Sequence, residues 1–112
     1  MKAITKIYLL DENREKFFGE GPYLLLQEIE KRGSLRSAAM SMGMAYSKAL
    51  KMITHAEKVL GFALTSRQSG GYAGGGSKLT KEGKEWVEKY GAYREACMEA
   101  NQKLYLEFFS SK

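Results

Sequence analysis

Residues 3–10 (AITKIYLL) are rich in β-branched and aromatic side chains. Asp11 to Glu15 are polar, and residues 16–18 (KFF) turn apolar again. Two short apolar runs around a polar turn predict an opening β-hairpin. Gly21-Pro22 interrupts that pattern, and Pro22 suits the first turn of a helix, where a missing N–H loses no bond. Leu25, Leu26 and Ile29 then share one face of a helix over residues 22–31, which Gly33 can end in a left-handed conformation. Ser34 is a suitable N-cap for a short helix over residues 35–42, and Gly43 stops it. A third helix, over residues 45–60, sets Ala49, Met52, Ile53, Ala56 and Leu60 on one side and Ser47, Lys48, Lys51 and Thr54 on the other. Gly61 ends that helix. Residues 63–69 and 77–79 read as strands around a flexible glycine-rich tip at 70–76, and Thr80 caps a long helix over residues 80–109.

Two helices joined by a tight turn need a small residue where they cross and one tolerant of positive φ at the corner. Ala39 and Gly43, four apart, meet both needs, with Leu35, Met42, Met44, Ala49 and Met52 as apolar fastening. This predicts a helix-turn-helix whose third helix opens towards a DNA major groove. The hairpin that follows would be a wing reaching the adjacent backbone. The expected fold is therefore mainly α with small β-hairpins: a winged helix-turn-helix with an N-terminal β-hairpin and a long C-terminal dimerisation helix. At 112 residues it is one domain, residues 1–112.

Charge sharpens this picture by its location. The net charge is +5, and the segment from Met44 to Lys84 carries the excess. Lys48, Lys51, Lys58, Arg67, Lys78, Lys81 and Lys84 stand there against Glu57 and Glu82, while the flanking segments nearly cancel. A local cationic excess attracts a polyanion by steering and counterion release, and double-stranded DNA is the expected partner. The candidate DNA-binding residues are Tyr46, Ser47, Lys48, Lys51 and Thr54 on the third helix, with Arg67 and Lys78 on the hairpin.

Catalysis finds little support. His55 stands without a second ligand or an adjacent nucleophile, a lone Cys97 forms neither a disulfide nor a zinc set, and the glycine run lacks the Walker Gly-Lys-Ser/Thr. No catalytic residue, cofactor or metal is expected, and the chain is not expected to be an enzyme. The absence of an apolar run of about 18 residues argues against a signal or membrane span and for a cytoplasmic protein.

The last helix carries a longer apolar pattern than one small core requires. Trp86, Tyr90, Tyr93, Cys97, Ala100, Leu104 and Phe108 recur at spacings of four, three, four, three, four and four, close to a two-per-heptad seam. A helix of that length extends roughly 40 Å, so a second copy is the expected cover and the chain is expected to be a homodimer.

Three segments resemble a known family: Gly33-Ser34-Leu35-Arg36-Ser37-Ala38-Ala39, Gly43-Met44-Ala45-Tyr46-Ser47-Lys48-Ala49, and Gly74 to Gly83 (GGGSKLTKEG). Together they look like the N-terminal DNA-binding domain of ModE-type molybdate-responsive regulators. Leu60-Gly61, Leu64, Arg67 and Leu79-Thr80 with Gly83 also resemble the winged domain of LysR-type regulators. The resemblance implies a dimeric, sequence-specific transcriptional regulator of bacterial or archaeal type, reading operator DNA with Tyr46, Ser47, Lys48 and Lys51. ModE-type regulators sense molybdate through domains following the long helix, so molybdate binding by this chain is not expected. The competing reading is a protein-interaction or assembly module that keeps the winged fold without DNA recognition.

Overall fold

A computed structural model describes residues 2–68 and 76–110. The architecture is mainly helical, with two small antiparallel β-hairpins and a long C-terminal helix. In chain order the elements are β1 (Leu9–Leu10), β2 (Lys16–Phe18), α1 (Glu20–Arg32), α2 (Leu35–Ser41), α3 (Tyr46–Leu60), β3 (Thr65–Gln68), β4 (Gly76–Leu79) and α4 (Lys81–Phe109). The glycine-rich tip lies outside the described residues apart from Gly76, the first residue of β4.

The opening hairpin forms, but it is shorter than residues 3–10 predicted. Leu9 pairs with Phe18 and Leu10 with Lys16 across a bulge. β2 cannot lengthen the ladder, because α1 begins two residues after Phe18. Residues before Leu9 instead run alongside α4 in the opposite direction. The Ala3 N–H donates to Gln102 Oε1 (3.4 Å), Asn101 Nδ2 donates to Thr5 Oγ1, and Tyr90 OH donates to the Ile7 carbonyl (2.8 Å). Ala3, Thr5, Ile7 and Leu9 are half-buried while the residues between them are exposed. The period-two pattern is therefore real, but it lays an arm on a helix rather than a strand in a sheet.

α1 starts two residues earlier than expected, with Pro22 third in the helix, still within the turn whose N–H groups have no intrahelical acceptor. Ser34 caps α2, its Oγ accepting from the Ser37 N–H at 3.0 Å. Gly33 and Gly61, both at φ 84°, end α1 and α3, and Gly43 turns the α2–α3 corner at φ 64°. Such left-handed backbone strains an L side chain, which explains glycine at these punctuation points. Thr80 caps α4 by accepting from the Gly83 N–H (2.8 Å), while its hydroxyl donates to the Ala63 carbonyl (2.6 Å).

The core gathers Phe18, Leu25, Leu26, Ile29, Ala38, Ala39, Ala49, Ile53, Ala56, Leu64, Leu79 and Tyr90. The three small residues Ala38, Ala39 and Ala49 let α2 and α3 approach closely, as the Ala39–Gly43 spacing predicted. An aromatic cluster joins the opening hairpin to α1 and α4. Phe18 meets Trp86 edge-on (5.4 Å between ring centroids) and Tyr90 likewise (4.9 Å), and Tyr90 touches Tyr23 at 5.0 Å. Arg94 forks onto Glu20, with Nη2 3.2 Å from Oε1, and ties α4 to α1.

α4 spans 29 residues, about 43 Å, and the molecule measures 63 × 29 × 24 Å. No helix among the described residues is long and apolar enough to cross a membrane.

Candidate functional site

α2 and α3 meet at a tight corner because the Met44 N–H donates to the Ala39 carbonyl (2.9 Å) and the Gly43 N–H to that of Met40 (3.0 Å). Glu28 on α1 fixes α2 from behind. It accepts from Arg32 Nε (2.6 Å) and from Ser41 Oγ (3.0 Å). These two bonds, Arg32's first, hold the Glu28 carboxyl below its ordinary pKa.

This fixes how α3 presents itself. Ala49, Ile53 and Ala56 are buried, and Ser47, Lys48, Leu50, Lys51, Thr54 and Lys58 are exposed. Its carboxylate, Glu57, is only half-exposed, and its Oε2 accepts from the backbone N–H groups of Leu64 (2.8 Å) and Thr65 (3.4 Å). The exposed residues of α3 therefore include three lysines and no carboxylate. Thr54 Oγ1 donates back to the Leu50 carbonyl (3.0 Å), which leaves it only its acceptor lone pairs for a partner.

Tyr46, the first residue of α3, is half-buried, and the Arg36 guanidinium lies 4.6 Å from its ring centroid. Arg36 had no assigned role in the sequence reading. Its partner Tyr46 lies across the α2–α3 corner, and Arg36 falls outside the cationic segment from Met44 to Lys84, so the charge pattern did not single it out.

Arg67 and Lys78 stand on the β3–β4 hairpin, both exposed. The register pairs Ser66 with Lys78 and Arg67 with Ser77. Paired residues share a face and neighbours along a strand alternate, so Arg67 and Lys78 point to opposite faces and cannot both serve one flat contact. The hairpin is anchored near α2: the Ser77 N–H donates to the Gly33 carbonyl (2.8 Å). A Cβ on Gly76 would lie 2.4 Å from that same oxygen, so only glycine allows this approach.

The structure divides the seam expected on α4. Tyr90 is buried and Trp86 half-buried within the chain's own aromatic cluster, so both are spent internally rather than left for a second copy. Burial, and then the nearby Glu20 charge, push the Tyr90 hydroxyl above its ordinary pKa. Beyond them Cys97 is half-buried and Tyr93 and Ala100 are exposed. Leu104 and Phe108 are 51% and 77% exposed. Met98, Leu106 and Phe109 widen this far apolar surface.

No protein-family description matches the sequence. A similar protein is the molybdenum-pterin-binding protein MopB of Rhodobacter capsulatus, 34% identical over 68 residues, which is 61% of this chain and 25% of that protein. The chain thus spans about a quarter of the relative it matches. This corrects the expected ModE membership: the relative is described as a molybdenum-pterin-binding protein, not as a DNA-binding regulator. The transcription-regulator description that rested on the ModE resemblance goes with it. Several residues of those segments, among them Gly33, Ser34, Gly43 and Thr80, are cap and corner residues that such helix ends and turns demand in any fold.

Proposed function

We propose that the chain binds duplex DNA, with α2 and α3 acting as a helix-turn-helix and β3–β4 as a wing. The observation that carries this reading is the division of α3, whose carboxylate turns inward onto β3 while Ser47, Lys48, Lys51 and Thr54 face outward. Such a helix can enter a major groove with short polar and cationic side chains at base edges, while one hairpin cation, Lys78, holds a phosphate. Arg36, stacked on Tyr46, adds a cation at the start of the same surface. Two copies would join through the far half of α4, from Tyr93 to Phe108, and present two such helices to successive turns of the duplex.

The test is titration against a randomised duplex library at several salt concentrations. Affinity should fall steeply with salt, each neutralised phosphate adding about 0.9 to the log–log slope. Lys51→Ala should change base preference, whereas Lys78→Ala should weaken all duplexes alike and lower the slope by about 1. Absence of binding to any duplex at low salt refutes the reading and favours the interaction module.

A second reading, molybdenum-pterin binding, is favoured by the similarity to MopB. Calorimetry with molybdate separates the two. Saturable binding of molybdate, without duplex binding, would replace the first reading by the second.

A further inference from the structure

His55 lies half-buried on α3, and the tip of the opening hairpin brings two carboxylates to it. Asp11 Oδ2 stands 3.8 Å from His55 Nε2. One ligand atom from each of Asp11, Glu15 and His55 lies within 4.8 Å of the others. Asp11 is held for this position. Its Oδ1 accepts from the N–H groups of Asn13 (2.8 Å) and Glu15 (2.9 Å), and the side chain keeps only 11% exposure against 40% for His55. Oδ2 is left pointing at the imidazole.

An ordinary ion pair accounts for Asp11 and His55 but not for Glu15. A protonated imidazole beside one carboxylate is already balanced, and a second carboxylate at this range adds repulsion. Among the described residues the Glu15 carboxylate has no other hydrogen bond or ion pair. Two carboxylates and a neutral imidazole carry a charge of −2, which a divalent ion neutralises. We propose that Asp11, Glu15 and His55 form a site for one divalent transition-metal ion of the zinc, cobalt or nickel type.

The imidazole selects that class over magnesium or calcium, which take oxygen ligands. Metal–ligand distances near 2.0–2.2 Å set donor atoms about 3–4 Å apart. The three groups must therefore close by about 1 Å, and Glu15, being exposed, is free to move. Three protein ligands leave the remaining coordination to water or an external ligand. The ion would clamp the β1–β2 turn onto α3, joining elements otherwise held by the packing of β2. The site stands apart from the duplex-DNA reading, and its test involves no nucleic acid.

The experiment uses the full chain, stripped with chelator and titrated calorimetrically with Zn2+; Co2+ absorption reports the ligand field. The expected result is one ion per chain with micromolar affinity. Metal in hundredfold excess over Kd should raise Tm by about 10–20 °C. Asp11→Asn keeps the Oδ1 acceptor of the turn, and it and His55→Gln should each weaken binding by about tenfold or more. Circular dichroism of both variants must match the parent, and the Glu15→Gln variant should also bind more weakly. Cys97→Ser should bind as the parent does. The proposal is overturned if Zn2+ binds only in the millimolar range, if well-folded His55→Gln binds like the parent, or if Cys97→Ser abolishes binding.

Discussion

Gly83 and Gly21 each sit in the first turn of a helix, yet the same substitution should move stability in different directions. A Cβ on Gly83 would lie 2.2 Å from the Leu64 carbonyl oxygen, 3.0 Å from its carbon and 3.1 Å from Thr80 Oγ1. Relief needs α4 to retreat by about 1 Å, the gap between this contact and an ordinary one. That retreat would strain the bonds from the Thr80 N–H to the Leu64 carbonyl (3.0 Å) and from Thr80 Oγ1 to the Ala63 carbonyl (2.6 Å). Two weakened bonds at about 1 kcal/mol each, with overpacking of about 1–3 kcal/mol, outweigh alanine's helical advantage of up to about 1 kcal/mol. Gly83→Ala should lose at least about 2 kcal/mol net, a fall of about 8–16 °C or more in Tm for a domain of this size. On Gly21 the Cβ would meet only the terminal methyl of Met52, at 2.9 Å, which can swing aside. Gly21→Ala should leave stability unchanged or slightly raised. Urea denaturation of both variants beside the parent measures the difference. A Gly83→Ala protein as stable as the parent would refute the close-approach argument.

Arg14 holds φ 65° in the β1–β2 turn, so Arg14→Gly should stabilise the fold by about 1 kcal/mol, read as a rise in the urea midpoint. Because the folded pKa of Tyr90 lies above its ordinary value, its contribution is complete below about pH 10 and is lost as pH rises through the folded pKa. Tyr90→Phe should remove that alkaline dependence and lose about 1 kcal/mol with the bond to Ile7, checked by melts across the alkaline range. On the proposed dimer, Leu104→Asp should give a monomer in sedimentation where the parent is a dimer, since an unpaired carboxylate is costly to bury; a monomeric parent would remove that part of the proposal.

Local chemistry was legible where a residue type has few alternatives. Ser34 and Thr80 cap the helices they were expected to cap, Gly33 and Gly61 end theirs, and the apolar face of α3 buries Ala49, Ile53 and Ala56 as its spacing implied. What stayed hidden depends on contacts distant in sequence. An alternating segment such as Ala3 to Leu9 is equally suited to a sheet or to lying on a helix, and Asn101 and Tyr90 decide between them only in three dimensions. The stripe on α4 shows that something covers Trp86 and Tyr90 without saying that Phe18 does. His55 looked isolated because its carboxylate neighbours stand on a turn about forty residues earlier. Exposure of α3's cationic side was readable from periodicity, whereas the inward turn of Glu57, which leaves that side without a carboxylate, was not.

The chain's lone tryptophan has a further use. Trp86 packs edge-on against Phe18 and within 6.4 Å of Phe17, at the joint where the opening hairpin meets α4. Its indole is thus a built-in optical gauge of that joint. Emission would shift to the red when hairpin and helix part, so intrinsic fluorescence can follow their docking without a label.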